Sequence, residues 1–508
     1  MAKVLLINPS KWARGITPIW IPSHSAFLKS KNHQVKLFDA TFYKNWSVDE
    51  IKFNTTNEQY KPSAYSEFIK LNENDIILDL QKCVDDFKPD IIFWSAISSH
   101  IHGEGEYVNI QYGYELINQL NTTALKITGG LQATARPAEM LKLFLKVDYF
   151  IGGESELVLC DIADNFEDVE KISQIKGISF VDRTGLGSDG NYIASDQKGK
   201  VVTNYQQQII SDLDVIPSYD YSLFEDQIFF RPYNGNVERA VDYELSRGCI
   251  YACSYCVETI IQEYYGFTEI NRGVLKNAKG YLRNKSAKRV FSEIKELHEN
   301  YGISLIRCQD TNFLTIDKKM LSELSELMEE SNLKVKLYIE TRPEGITTSN
   351  LVQLKKLKVD GVGMGIEVSD EDFRMGSLNR FASQVKIIEA FKSLREGGIN
   401  RTAYNIIGLP EQTESMIIES IKFNRLLDPD NITVAFYSPY IGTPEQEKSH
   451  EMNYFNDYEY HVDGQLRSVS KSALVEKETL VFYKKYFNYF VKNGFDQLES
   501  LKIKENVE

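Results

Sequence analysis

From residue 241 onward the sequence repeats one unit six times: a short apolar run, a turn, then a helix-length amphipathic segment. The runs are DYELSRG (242–248), SLIRCQD (304–310), KLYIETRP (336–343), GVGMGIEVS (361–369), TAYNIIGLP (402–410) and ITVAFYSP (432–439). Segments such as 287–299 and 384–396 separate them with apolar residues at helical spacing. Unbroken β/α alternation of this kind demands a parallel sheet with helical crossovers. Six units predict an incomplete (β/α)6 barrel over 241–445, because a closed eight-unit barrel needs more chain.

The first 204 residues alternate too. Apolar runs lie at 3–10, 35–41, 90–97, 124–130 and 148–154, with helix-length segments at 22–30, 74–87, 107–120 and 137–145 between them. Several runs end in Gly or Pro, the mark of a doubly wound, Rossmann-like α/β domain. Residues 43–72, polar and aromatic, interrupt the pattern as an inserted loop or lid. GISFVDR and KVVTN flank a Gly/Asp/Ser-rich turn, so 177–204 reads as a hairpin extension. Residues 205–240, with Asp214, Pro217 and Tyr219, read as a linker. Residues 446–508 form a small helical C-terminal segment in which Leu480, Tyr483, Phe487 and Phe490 share one face of a helix at 479–492, expected to pack on the barrel.

At 508 residues the chain calls for two or three domains. Its net charge of −14 and lack of a basic block argue against a nucleic-acid partner. No run of about 18 apolar residues is present, so no membrane span is expected. MAKVLLINPS lacks the order of a signal peptide, and a cytoplasmic location follows.

Of the six cysteines, three crowd into Cys249-Ile250-Tyr251-Ala252-Cys253-Ser254-Tyr255-Cys256. Three thiolates on one loop can serve three irons of a [4Fe–4S] cubane and leave the fourth open to an outside ligand. A structural zinc site or three core cysteines are the plainer readings; zinc prefers four ligands in two spaced pairs, and no second pair follows. Cys83, Cys160 and Cys308 read as small buried residues.

This loop, including the aromatic Tyr255 before the last cysteine, resembles the signature of the radical S-adenosylmethionine (SAM) superfamily over roughly residues 240–445. The resemblance implies a cluster on Cys249, Cys253 and Cys256 whose open iron chelates SAM, and an external reductant such as flavodoxin or ferredoxin. It places Tyr255 beside the adenine of SAM and Asp310 at its amino group. Glu340, Arg342, Glu367, Ser369, Arg380 and Asn405 become further SAM contacts, with Gly408, Gly442 and Thr443 nearby. Strand carboxyl ends are where ligands collect in parallel barrels, which agrees with these positions.

The front half resembles the cobalamin-binding domain found ahead of the barrel in one large radical SAM class, through INPS (7–10), the NHQVKLFDA segment, KPDIIFWSAISS, ITGGLQATARPAEML and VDYFIGGESE. The resemblance implies that Ser98, Ser99, Gly129, Gly130, Leu131, Gln132, Gly153 and Glu154 lie against cobalamin. Paired glycines let backbone approach a large flat cofactor. The Asp-x-His-x-x-Gly loop that supplies an axial histidine in B12 mutases is missing, and His100 and His102 read as loop histidines.

Together these resemblances imply a cobalamin-dependent radical SAM methyltransferase. It would cleave SAM to a 5′-deoxyadenosyl radical and methylate an unactivated carbon of a small-molecule substrate. Cyclisation, rearrangement or oxidation with the same cofactors is the alternative. A methylthiotransferase should carry three more front-domain cysteines and a basic tail, which this chain lacks. A non-catalytic B12 or metal sensor would require a vestigial triad.

Overall fold

The computed structural model describes residues 1–47, 50–95, 105–182, 192–194, 197–437, 439–452 and 474–505. By its contacts the chain divides into two units: residues 1–49, 66–230 and 257–268 form one, and residues 50–65, 231–256 and 269–508 the other.

The first unit is built on strands β1 (Lys3–Asn8), β2 (Gln34–Asp39), β3 (Ile91–Ser95), β4 (Leu125–Gly129) and β5 (Tyr149–Ile151), all parallel in the order β2-β1-β3-β4-β5. This is a doubly wound order. β1, β3 and β5 are buried almost throughout, which is why they read as continuous apolar runs rather than alternating ones. β6 (Ile178–Asp182) adds antiparallel to β5, and β7 (Lys200–Thr203) antiparallel to β6.

The second unit holds a seven-stranded sheet. Six strands run parallel in sequence order: β9 (Asn236–Tyr243), β10 (Leu305–Cys308), β11 (Lys336–Thr341), β12 (Val359–Glu367), β13 (Asn400–Ile407) and β14 (Asn431–Phe436). A seventh, β8 (Phe230–Tyr233), lies at the edge beside β9. The two are joined by Asn234 and Gly235, whose φ values of 50° and 84° suit a two-residue hairpin turn. The last part of the segment read as a linker is therefore sheet, and the first barrel strand begins at Asn236 rather than near 242.

The polar stretch at 43–72 divides. Residues 50–65 group with the second unit, where Gln59 Oε1 accepts the Val434 N–H at 3.1 Å and so satisfies an edge-strand donor. The helix Lys477–Asn493 covers the same end of the sheet. Leu480, Tyr483, Phe487 and Phe490 are fully buried against Ile417, Ile421, Val434 and Phe436.

β12 carries Gly361, Gly363 and Gly365 at alternate positions, hence on one face. A Cβ on Gly361 would lie 2.6 Å from Tyr233 Oη, and one on Gly363 would lie 2.5 Å from Tyr404 Oη. The bare face of β12 makes room for tyrosines of other strands, Tyr404 of the adjacent β13 and Tyr233 of the edge strand β8.

Candidate active site

The cysteine loop leaves the carboxyl end of β9 and is fixed from several directions. Asp310, just past β10 and fully buried, accepts the Leu245 N–H at 3.1 Å and the Ser246 hydroxyl at 2.5 Å. Burial pushes its carboxyl up to about 7 against the pull of those donors. Gly248 follows with φ 95°, and a Cβ there would meet the Tyr281 carbonyl oxygen at 2.6 Å, so only glycine fits.

Cys249 and Cys253 are buried and Cys256 is half-buried. The Cys256 N–H donates to the Cys253 carbonyl at 3.0 Å, closing a tight turn. Ala252 donates to the Gly273 carbonyl at 2.9 Å and its own carbonyl accepts from Asn379 Nδ2 at 2.7 Å. Ser254 donates its N–H to the Leu378 carbonyl at 3.1 Å and its hydroxyl to the Ser377 carbonyl at 2.7 Å, while its carbonyl accepts the Glu445 N–H at 2.9 Å. The loop is thus held largely through backbone groups.

Beside the loop, Tyr255 donates its hydroxyl to Glu367 Oε1 at 2.9 Å, and Arg380 reaches the Tyr255 oxygen at 3.4 Å and the Gly365 carbonyl at 2.6 Å. Glu367 ends β12 at a register shift with φ 62°, a strained conformation for a residue with a side chain. Burial raises its carboxyl despite Arg380 at 3.8 Å. Arg342, just past β11, lies with Nη1 at 3.7 Å from Cys253 Sγ.

Glu340 sits deeper, accepting from Tyr404 Oη at 3.0 Å and Arg307 Nη2 at 3.3 Å; burial pushes it up to about 7, with Arg307 opposing. Tyr338 and Tyr404 share a hydrogen bond at 2.7 Å. Arg307, Tyr338 and Tyr404 were not singled out in the sequence, although the alternate glycines of β12 signal that bulky residues face them.

The structure brings Tyr255, Glu367, Arg380 and Arg342 together around the loop. It does not bring Ser369 and Asn405 to that group by hydrogen bond. Asn405 exchanges amide bonds with Asn424 at 3.1 and 2.7 Å, and the Ser369 N–H donates to Ser420 Oγ at 3.0 Å, both toward the helix Glu414–Leu427. Gly408, with φ 82°, donates its N–H to Gln412, and Thr443 caps the helix Pro444–Glu451.

In the first unit Gly129 ends β4 and Gly130 turns with φ 124° into the short helix Leu131–Ala135, which contains Leu131 and Gln132. Thr134 fastens two glycine loops together: its hydroxyl donates to the Gly130 carbonyl at 2.8 Å and accepts the Gly153 N–H at 2.9 Å. Gly153 has φ 68°, and a Cβ there would lie 2.4 Å from Tyr265 Oη. The Glu154 N–H donates to the same Tyr265 oxygen at 2.9 Å. The sequence carries no motif that singles out Tyr264 and Tyr265. Ser98, Ser99, His100 and His102 lie outside the described residues.

These features test what the loop can hold. Among the described residues no three His, Cys, Asp or Glu side chains converge on a single metal ion. Three thiols on one loop can each serve a separate iron of a cubane. Arg342 Nε, Arg380 Nε, Glu340 Oε2 and Glu344 Oε2 are buried without a hydrogen-bond partner. Donors and acceptors stranded together fit a ligand that brings both charges, as the methionyl part of SAM does.

Comparison with known proteins gives the site its context. Residues 243–423 match the Radical SAM superfamily. An uncharacterized methyltransferase of Pyrococcus horikoshii is 24% identical over 371 residues, covering 72% of this chain and 70% of the relative. An anaerobic magnesium-protoporphyrin IX monomethyl ester cyclase of Rubrivivax gelatinosus is 24% identical over 454 residues, covering 88% and 74%. Among solved structures, the radical SAM methyltransferase TsrM of Kitasatospora setae, with cobalamin and a [4Fe–4S] cluster bound, superposes with TM-score 0.60 at 16% identity over 89% of this chain and 78% of that one. The cobalamin-dependent SAM radical enzyme OxsB, with aqua-cobalamin and SAM bound, superposes with TM-score 0.63 at 15% identity over 97% and 67%. The segment that matches the Radical SAM superfamily, residues 243–423, carries the cysteine triad and most of the six-stranded parallel sheet behind it.

Proposed function

We propose that this protein is a cobalamin-dependent radical SAM methyltransferase acting on an unactivated carbon of a small molecule. The observation that carries the reading is the cysteine loop itself: three thiols on a backbone-pinned turn at the carboxyl end of a parallel sheet, beside stranded guanidinium and carboxylate atoms. Cys249, Cys253 and Cys256 would hold the cluster. Tyr255, Glu340, Glu367 and Arg380 would hold SAM. Asp310, Ser369 and Asn405 would act behind them, through the loop and helix they anchor. Gly129, Gly130, Leu131, Gln132, Gly153 and Glu154, with Ser98 and Ser99, would line the cobalamin site, where backbone can come close to a corrin.

When bound, the cluster and SAM supply one-electron cleavage of a carbon–sulfur bond, and cobalamin supplies a transferable methyl group. The chain's own share is orientation and exclusion of water. Arg380 and Glu367 fix the Tyr255 ring, and the buried carboxyls lie away from solvent. A reductant of the flavodoxin or ferredoxin type would feed the cluster. The location would be cytoplasmic, and no helix among the described residues is long and apolar enough to cross a membrane.

A second reading, ring formation with the same cofactors and no methyl transferred, is favoured by the cyclase relative, which covers more of this chain than the methyltransferase relative does. Anaerobic reconstitution with iron, sulfide and hydroxocobalamin tests both. About four irons per chain and one cobalt are expected, and the Cys253→Ala variant should lose the cluster and all 5′-deoxyadenosine formation. Undiminished 5′-deoxyadenosine in that variant would end the radical SAM assignment. Iron without cobalt would remove the methyltransferase mechanism. A product heavier by one methyl group separates methyl transfer from cyclisation.

A further inference from the structure

Arg342 is placed where a SAM contact is expected, yet its observed partners belong to the cysteine loop. Nη1 lies 3.7 Å from Cys253 Sγ, a hydrogen-bonding distance for sulfur, and the guanidinium carbon sits 3.8 Å from the centroid of the Tyr251 ring. Nη2 pairs with Glu344 Oε1 at 2.5 Å. Burial works against ionisation of Glu344, but the Arg342 and Arg380 guanidinium groups outweigh it and hold the carboxyl below its usual range. Stacked on a ring on one side and tied to a carboxylate on the other, the guanidinium is fixed before any ligand arrives.

We infer that Arg342 is a positioning and tuning residue for the cluster: it donates to the Cys253 sulfur and raises the cluster's reduction potential. The inference rests on Cys253 being a cluster ligand. One electron from the external reductant adds one negative charge to the cubane, with no proton transferred and no bond made or broken at Arg342. A fixed positive group hydrogen-bonded to a ligand sulfur stabilises the reduced state more than the oxidised one, so its presence moves the potential upward. The unpartnered Nε leaves room for SAM as well, but the effect on the cluster does not depend on SAM being present.

The test uses the full-length protein, reconstituted anaerobically without SAM and poised at stepped potentials, with the reduced cluster followed by electron paramagnetic resonance. Arg342→Met should shift the midpoint to more negative potential and lower the reduced fraction at any fixed setting. Arg342→Lys, which keeps the charge but not the planar fork, should fall between it and the wild type. An unchanged midpoint in Arg342→Met, with only the SAM dissociation constant raised, would overturn the inference and return Arg342 to the SAM site. Should Arg342→Met take up too little iron to measure, Tyr251→Leu removes the stacking partner instead; a smaller shift in the same direction supports the inference, and none overturns it. A wild type that binds no cluster fails the function proposed above, whereas a normal cluster with an unmoved midpoint fails this inference alone.

Discussion

The two parallel sheets end in very different chemistry. At the carboxyl end of the barrel sheet the buried residues are charged: Asp310, Glu340, Arg342, Glu367 and Arg380, with Arg231 and Asp242 beneath them. At the carboxyl end of the front sheet Gly130 and Gly153 are joined through the Thr134 hydroxyl, and the carboxylates nearby, Asp39 and Glu156, accept from neutral groups, Asn8 and Thr41 for the first and Ser23 for the second. Buried charge is expensive unless matched, so the barrel end is shaped for a small ligand that brings charges of its own. Bare backbone costs little to bury and leaves a broad surface, which suits a large flat ligand held by shape.

The sharpest way to break this comparison is to remove one buried charge. Arg231 forks onto Asp242 at 3.0 and 2.9 Å, both nearly inaccessible to water, and Gln309 also donates to Asp242. Arg231→Met should cost about 3–5 kcal/mol in urea unfolding, because Asp242 is left charged and buried. Arg231→Met combined with Asp242→Leu should recover much of that loss. If the single variant unfolds like the wild type, the barrel end does not depend on charge matching.

How far the sequence foretold this depends on whether a residue's partner lies nearby in the chain. The buried strands of both sheets were legible because parallel strands covered on both faces leave unbroken apolar runs, as in β1 and β3. The three cysteines were legible because their spacing alone is distinctive. The β8–β9 hairpin reads as linker although Asn234-Gly235 is a turn signal, because the flanking strands are polar and carry Arg231, Glu238 and Arg239. Asn405 lies near the end of β13 and Ser369 just past β12, but whether they face a ligand or a helix depends on Asn424 and Ser420, which no local pattern ties to them. The same holds for Arg342, whose partners Tyr251 and Cys253 lie about ninety residues away along the chain.

A gentler test falls on the front unit. Thr134→Val removes the hydroxyl that links the Gly130 and Gly153 loops while keeping the side-chain shape. It leaves a backbone donor and an acceptor without that partner, at an expected cost of about 1–3 kcal/mol. On the reading above, the variant should also retain less cobalt after desalting while keeping its iron. Equal loss of iron and cobalt would mean that the change spreads through the fold rather than acting on the glycine loops.

A pH series separates buried charge that is matched from buried charge that is merely avoided. Burial pushes the Asp310 carboxyl up to about 7, well above the usual carboxylate value of about 4. Between those two pH values the folded chain binds more protons than the unfolded one. The protonated carboxyl therefore contributes stability that is complete below about pH 4 and lost as pH rises toward 7, by at most about 1.4 kcal/mol per pH unit. Asp310→Asn cannot ionise, so its stability relative to the wild type should improve as pH increases from 5 to 8 in the metal-free protein. Glu340, shifted the same way by burial, titrates in both proteins and cancels from that difference. A constant difference between variant and wild type across that range would mean that the donors from Leu245 and Ser246 keep Asp310 ionised in the fold, matched like Asp242 rather than neutralised.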